Sequence, residues 1–219
     1  DTGTATIVDD GTGPGPDPDD DRPTVTLITN TMVNEGELAT LDVTLSNLST
    51  TDTIVNMSLD DGSATGGVDY NDTTVTITYE DNSTEVVAIN LDGSFSVNVP
   101  AFDSSFSITM NTINDDIYEG NEVFTLSGAT STQSQPAVGT VTIHDEADKP
   151  VVSDITNVEV FEGNDATFNV TLSNASTVAV LVSMSLLDGT ALAGDDFNAS
   201  SVTITYADNT TEVVNVNLD

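Results

Sequence analysis

The 219 residues carry 37 acidic side chains against two basic ones, Arg22 and Lys149, for a formal charge of −35. Self-repulsion on that scale makes nucleic acid and anionic membrane surfaces poor partners. The lack of cysteine excludes disulfides, and no apolar run approaches the ~20 residues of a membrane-spanning helix. Apolar residues still make up 37% of the chain and recur at regular spacing. The composition is therefore that of a folded protein that needs counterions, one or two domains long, rather than a disordered acidic tail.

The chain begins with a strand pattern, "GTATIVDD" (3–10), that returns as "GTVTIHDE" (139–146). It reads as the last strand of a module, closed by Asp9 and Asp10. Residues 11–22, rich in Pro, Gly and Asp, read as an extended, semi-rigid linker. From there alternation dominates. Leu41, Val43 and Leu45 alternate with polar residues, as do Val55, Met57 and Leu59, then Val75, Ile77 and Tyr79. The same period continues through Val87, Ile89 and Leu91; Phe95, Val97 and Val99; Phe106, Ile108 and Met110; Phe124 and Leu126; and Val141 and Ile143. Period two means strands with one buried and one wet face. Asp92-Gly93 between two such runs predicts a two-residue hairpin turn. About eight or nine short strands at this spacing predict a β-sandwich. The short linker "ADKP" (147–150) follows.

After the linker the sequence repeats itself. "NEGELATLDVTLSN" (34–47) returns as "FEGNDATFNVTLSN" (161–174), and "VTITYEDNSTEVV" (75–87) as "VTITYADNTTEVV" (202–214). Residues 35–92 and 162–219 align without a gap at a constant offset of 127, with about 35 of 58 positions identical. Such repetition sets the architecture. The expected organisation is a segment of a longer tandem array. Residues 1–10 would be the terminal strand of a preceding module, 11–22 the linker, 23–149 one complete module, and 150–219 the first half of a following one. Half a sandwich leaves open edges and an uncovered core, so strand exchange through the incomplete modules is an expected interaction.

The acids gather at strand ends and turns: Glu35 in "NEG", Asp69 in "GGVDY", the "NDDIYEGNE" group (114–122), and Asp145, Glu146 and Asp148 in "HDEAD". Two unit charges about 4 Å apart repel by roughly 4 kcal/mol at an effective dielectric of about 20, and neither base is near the 114–122 group in sequence. Sandwich loops cluster at the two ends of the fold, so carboxylates from several loops can converge. An all-oxygen donor set suits calcium, whereas zinc prefers His or Cys and His144 is the sole histidine.

"GSATGGVDY" (62–70), "NDDIYEGNEVFTL" (114–126) and "GTVTIHDE" (139–146) resemble the Calx-β domain, in the complete module and in both partial ones. The resemblance implies an all-β fold of tandem immunoglobulin-like, Greek-key β-sandwich modules. It also implies calcium held at one end by acids from several loops. On the matching positions these are Glu35, Asp69, Asp115, Asp116, Glu119, Asp145 and Glu146, with Glu122 beside them. Glu162 and Asp196 match in the third piece, and Asp9 and Asp10 match the terminal acids of the preceding module. Residues 74–92 depart from the family pattern as an added hairpin.

The tandem copies, acidity, Thr/Asn/Ser-rich strands and absence of cysteine are similar to the extender region of RTX-type bacterial adhesins. That resemblance implies type I secretion, an extracellular place on the cell surface, and a calcium-stiffened rigid spacer in cell adhesion or biofilm formation. Such a module catalyses nothing and has calcium ions and neighbouring modules as partners. Two other functions suit the residues. One is a carbohydrate-binding module of such an adhesin, against which stand the absence of Trp and an aromatic content of 5%. The other is an acidic surface protein of a halophile, in which monovalent salt would take calcium's place. Asp115 and Glu119 can be drawn as a glycosidase pair, but recurrence of the module points to scaffolding.

Overall fold

The computed structural model describes residues 1–6 and 20–216; Asp9, Asp10 and most of the 11–22 linker lie outside the described residues. Every regular element among them is a strand. The chain divides into two compact units, Asp1–Lys149 and Pro150–Asp219.

The first unit contains β1 (Val25–Ile28), β2 (Thr31–Asn34), β3 (Leu38–Leu45), β4 (Thr53–Asp61), β5 (Thr74–Tyr79), β6 (Thr84–Ala88), β7 (Ser94–Val99), β8 (Ser105–Asn111), β9 (Ile117–Tyr118), β10 (Glu122–Thr130) and β11 (Ala137–His144). One five-stranded sheet has the order β1-β3-β8-β5-β6 and the other β2-β11-β10-β4-β7. β2 runs parallel to β11; the other pairings within the two sheets are antiparallel. The chain crosses repeatedly between the sheets, and the result is an immunoglobulin-like β-sandwich.

The period-two residues make the core. Leu41 and Val43 of β3, Ile77 of β5 and Ile108 of β8 face inward from one sheet; Val55 of β4, Phe124 and Leu126 of β10 and Val141 of β11 face them from the other. Each large side chain fully withdrawn from water contributes about 1.5–3 kcal/mol. The Thr and Ser residues between them lie on the outer faces, where pairs such as Thr40 and Thr109 bond across strands at 3.0 Å.

Two expectations need revision. The module at 23–149 has eleven strands among the described residues rather than eight or nine, because the short β1, β2 and β9 lack a full alternating run. The turn at Asp92-Gly93 forms, but it does not close a hairpin. β6 ends at Ala88 on the edge of one sheet and β7 pairs with β4 in the other, leaving Leu91 fully exposed. The reason is packing: Gly93 (φ +79°) lies against β4, and a Cβ there would collide with the Leu59 carbonyl oxygen. The turn thus carries the chain across to the second sheet. The 74–92 segment forms the expected hairpin, with β5 and β6 paired antiparallel at one end of their sheet beyond β8.

The second unit contains β12 (Val152–Ile155) paired with β13 (Val170–Leu172), a two-residue β14 (Ala175–Ser176), and the hairpin of β15 (Ser201–Thr205) with β16 (Thr211–Asn215).

Candidate metal centre

Strand register brings the acidic loops of the first unit to one end. Leu38 pairs with Asn111, so the β2–β3 turn and the segment after β8 lie together. Glu122 pairs with Ile143, and Phe124 with Asp61, so the start of β10 and the ends of β4 and β11 are also there. The 62–70 loop is pinned to this end by its own chemistry. The Tyr70 hydroxyl donates to Asp61 Oδ1 at 2.6 Å, and its ring stacks on Phe124 with centroids 3.9 Å apart. Within that loop the Thr65 N–H donates to Asp69 Oδ2 at 2.7 Å, and Asp69 is 7% exposed.

Six carboxylates form two triads. Oxygens of Glu35, Asp145 and Asp148 lie within 4.8 Å of one another, and so do oxygens of Asp69, Glu119 and Glu122. One backbone link ties the triads together: the Glu119 N–H donates to Asp145 Oδ2 at 2.6 Å. The 114–122 loop is threaded through both. Glu35 Oε1 accepts the Asp115 N–H at 3.0 Å, and Asp115 Oδ1 accepts the Ile117 N–H at 2.7 Å, bending the loop. Gly120, at φ +80°, then reverses the chain into β10 in a conformation that a side chain would strain.

The electrostatics of this end are unfavourable for carboxylates left to themselves. Burial pushes Glu35 up to about 7, with Asp145 and Asp115 adding repulsion against one backbone N–H that opposes it. Burial likewise raises Glu122 to about 7, reinforced by Asp69 and Glu119. Glu119 is raised by burial and then by Asp69, Asp115 and Asp145. Two carboxylate oxygens, Glu35 Oε2 and Asp145 Oδ1, are buried without a hydrogen-bond partner in the protein. A buried, unpaired charged oxygen is among the most expensive groups a fold can hold. The donor set is all carboxylate, with neither thiolate nor imidazole, and such sites suit hard cations of the calcium kind. The residues present therefore fit a bound dication.

Of the residues expected at the site, Glu35 and Asp145 meet in one triad and Asp69 and Glu119 in the other. Asp115 joins them through its backbone N–H. Asp116 is exposed and belongs to neither triad. Glu146 is exposed and turned to Lys149, whose Nζ donates to it at 3.2 Å. Glu122, expected beside these ligands, completes one triad, and Asp148, singled out in "HDEAD" but not among the expected ligands, completes the other. Their signal was present in the sequence, in "HDEAD" and in the end of "NDDIYEGNE". What was missing was the strand phase that decides which acid of each run turns inward. In the second unit Glu162 and Asp196 are exposed, and neither belongs to a group of three acids among the described residues. Asp196 does repeat the local bond of Asp69, with its Oδ2 accepting the Leu192 N–H at 2.9 Å. His144 ends β11, and its carbonyl accepts the Glu35 N–H at 3.0 Å.

Fold and site together describe an immunoglobulin-like β-sandwich with a carboxylate-lined loop cluster at one end. Residues 18–92, 100–148 and 154–219 match the Calx-beta domain, and the chain belongs to the Calx-beta domain family. Similar solved structures include CBD12 from CALX1.2, 20% identical with a TM-score of 0.41, covering 61% of this chain and 49% of that one. The apo-form Calx CBD1 domain is 17% identical with a TM-score of 0.40, covering 55% and 95%. CaCohA2 from Clostridium acetobutylicum is 16% identical with a TM-score of 0.36, covering 55% and 89%. The chain thus spans about half the length of the first of these. No curated protein sequence matches it.

Proposed function

We propose that the first unit is a calcium-binding spacer module of a bacterial cell-surface adhesin. The observation that carries the calcium reading is the pair of carboxylate triads holding two buried oxygens without partners. Glu35, Asp145 and Asp148 would hold one cation and Asp69, Glu119 and Glu122 another, with Asp115 setting the loop between them. A dication there supplies shared attraction in place of mutual repulsion, and so locks the loops that join the two sheets at this end. The spacer role is supported by the repeat at an offset of 127 residues, the Pro/Asp-rich linker and the −35 charge, all of which suit an exposed, extended array. Secretion to the cell surface belongs to the same proposal.

Titration calorimetry of the whole chain with calcium and with magnesium tests the binding. At least two calcium ions per chain are expected, with affinity in the range of about 10⁻⁴ to 10⁻³ M usual for extracellular modules or tighter. Asp145→Asn should remove binding at the first triad and Asp69→Asn at the second. Magnesium binding as tight as calcium, or unchanged binding in the double variant, contradicts the assignment.

A further inference from the structure

Asp61 and Tyr70 stand outside both triads, yet together they hold the loop that carries Asp69. Backbone bonds tie that loop at its two ends: the Ala64 N–H donates to the Val123 carbonyl at 3.0 Å, and the Ile113 N–H to the Asp69 carbonyl at 2.8 Å. Its middle is anchored from the end of β4, where Asp61 Oδ1 accepts the Gly66 N–H at 2.9 Å and the Tyr70 O–H at 2.6 Å. The second distance is that of a charge-assisted bond. Tyr70 is buried. Burial, and then the bond to Asp61, hold its hydroxyl far above the ordinary tyrosine value, so it stays a donor.

The second unit carries the same loop with that oxygen missing. Asp188, Ala193, Asp196 and Phe197 stand at the positions of Asp61, Gly66, Asp69 and Tyr70. The local bonds return. Asp188 Oδ1 accepts the Ala193 N–H at 2.9 Å, and Asp196 Oδ2 accepts the Leu192 N–H at 2.9 Å. The Gly194 N–H reaches the Phe197 carbonyl at 2.8 Å, as the Gly67 N–H reaches that of Tyr70. The turn therefore closes without a hydroxyl, and the Tyr70 O–H serves something beyond the turn. What the first unit adds is charge. Asp69 has carboxylate oxygens of Glu119 and Glu122 within 4.8 Å, and it repels both. With no cation between them, that repulsion drives Asp69 and its loop outward.

We propose that Tyr70 is a positioning residue of the second triad: its hydroxyl, through Asp61, holds the 64–69 loop closed against carboxylate repulsion, and so sets how tightly Asp69, Glu119 and Glu122 take a cation. Given the calcium assignment of the first unit, on which this rests, a loop already closed needs no ordering when the cation arrives. A loop closed for only part of the time binds with its affinity reduced by that fraction. A module with phenylalanine here, as at 197, takes its cation more weakly, so this position grades affinity along an array.

Tyr70→Phe in the whole chain keeps the ring that stacks on Phe124 and removes only the oxygen. Calcium titration calorimetry is run on it in two backgrounds: Asp145→Asn, which leaves the second triad, and Asp69→Asn, which leaves the first. In the Asp145→Asn background Tyr70→Phe should weaken calcium binding on the order of 10-fold; in the Asp69→Asn background it should change nothing. Thermal melting separates positioning from stability alone: Tyr70→Phe should lower the melting temperature more in calcium than in chelator. If the wild-type chain binds no calcium, the metal assignment falls and the role of Tyr70 with it. If it does bind, any of three results overturns the role of Tyr70 alone. These are unchanged affinity at the second triad, equal weakening at both triads, and an equal drop in melting temperature in calcium and in chelator.

Discussion

Asp81 and Asp208 close the same turn in two parts of the chain. Each accepts a hydrogen bond from the backbone N–H two residues on, at 2.8 and 2.9 Å. Each precedes an asparagine in the left-handed region, Asn82 at φ 65° and Asn209 at φ 66°. Each turn joins a two-stranded hairpin held by a tyrosine–glutamate bond, Tyr79 to Glu85 at 2.9 Å and Tyr206 to Glu212 at 2.8 Å. Beyond that scale the two regions part. β4 runs nine residues in the first unit, and 180–188 runs none in the second. Tyr79 is 9% exposed and Tyr206 49%. The difference separates what a short segment can satisfy by itself from what needs strands far away in sequence. Turns and hairpins belong to the first kind; long central strands and a buried core belong to the second.

That contrast is sharpened most by substitutions in the core. Phe124→Ala removes a fully buried ring stacked on Tyr70. It should destabilise the first unit by about 3–5 kcal/mol in denaturant unfolding. Phe168→Ala, at a half-exposed position of the second unit, should change stability by no more than about 0.5 kcal/mol. Comparable losses from both would break the distinction between a cored and an uncored unit.

A smaller effect, with a change of sign, is expected at the metal centre. Glu119→Gln is nearly isosteric and removes one of the clustered charges. In calcium it should weaken binding and lower the melting temperature of the first unit by several degrees. In chelator it should be neutral or mildly stabilising, because Glu119 is then repelled by Asp69, Asp115 and Asp145. Asp196→Asn, in the second unit where no acid triad forms among the described residues, should do neither. Differential scanning calorimetry with and without calcium reads all four cases.

The mildest effect is that of pH. Glu35 and Glu122 titrate near 7 in the folded unit, above an ordinary value of 4.5. The folded state therefore takes up protons that the unfolded state does not between those values, and stability falls as pH rises through that window. In chelator, the first unit should melt at a higher temperature at pH 5 than at pH 7.5. With calcium the trend should reverse, since protons compete with the cation for the same oxygens.

Much of this was legible in the residues. Alternation at Leu41, Val43 and Leu45 marks a half-buried strand because the pleat imposes it, and the repeat at 127 residues marks the modules. The convergence of Glu35, Asp69, Glu119 and Asp145 was also visible, since acids at strand ends of a sandwich have few places to go. The sheet to which each strand belongs was not. The turn at Asp92-Gly93 reads as a hairpin in any local pattern, and its crossing between sheets depends on the packing of Gly93 against Leu59. The choice of Asp148 over Glu146, and of Glu122 over Asp116, likewise follows from strand phase and loop path rather than from residue type.

The central claim is that cations, not proximity alone, hold the acidic end of the first unit together. Its most direct test is the melting of the whole chain in millimolar calcium, in chelator, and in chelator with molar sodium chloride. Binding confined to the folded state adds roughly 2.7 kcal/mol per site at a hundredfold excess over the dissociation constant. Calcium should therefore raise the melting temperature of the cored unit well above its value in chelator, and sodium chloride should recover only a minor part of the gain. Equal melting in calcium and chelator, or full recovery by sodium chloride, would contradict the account.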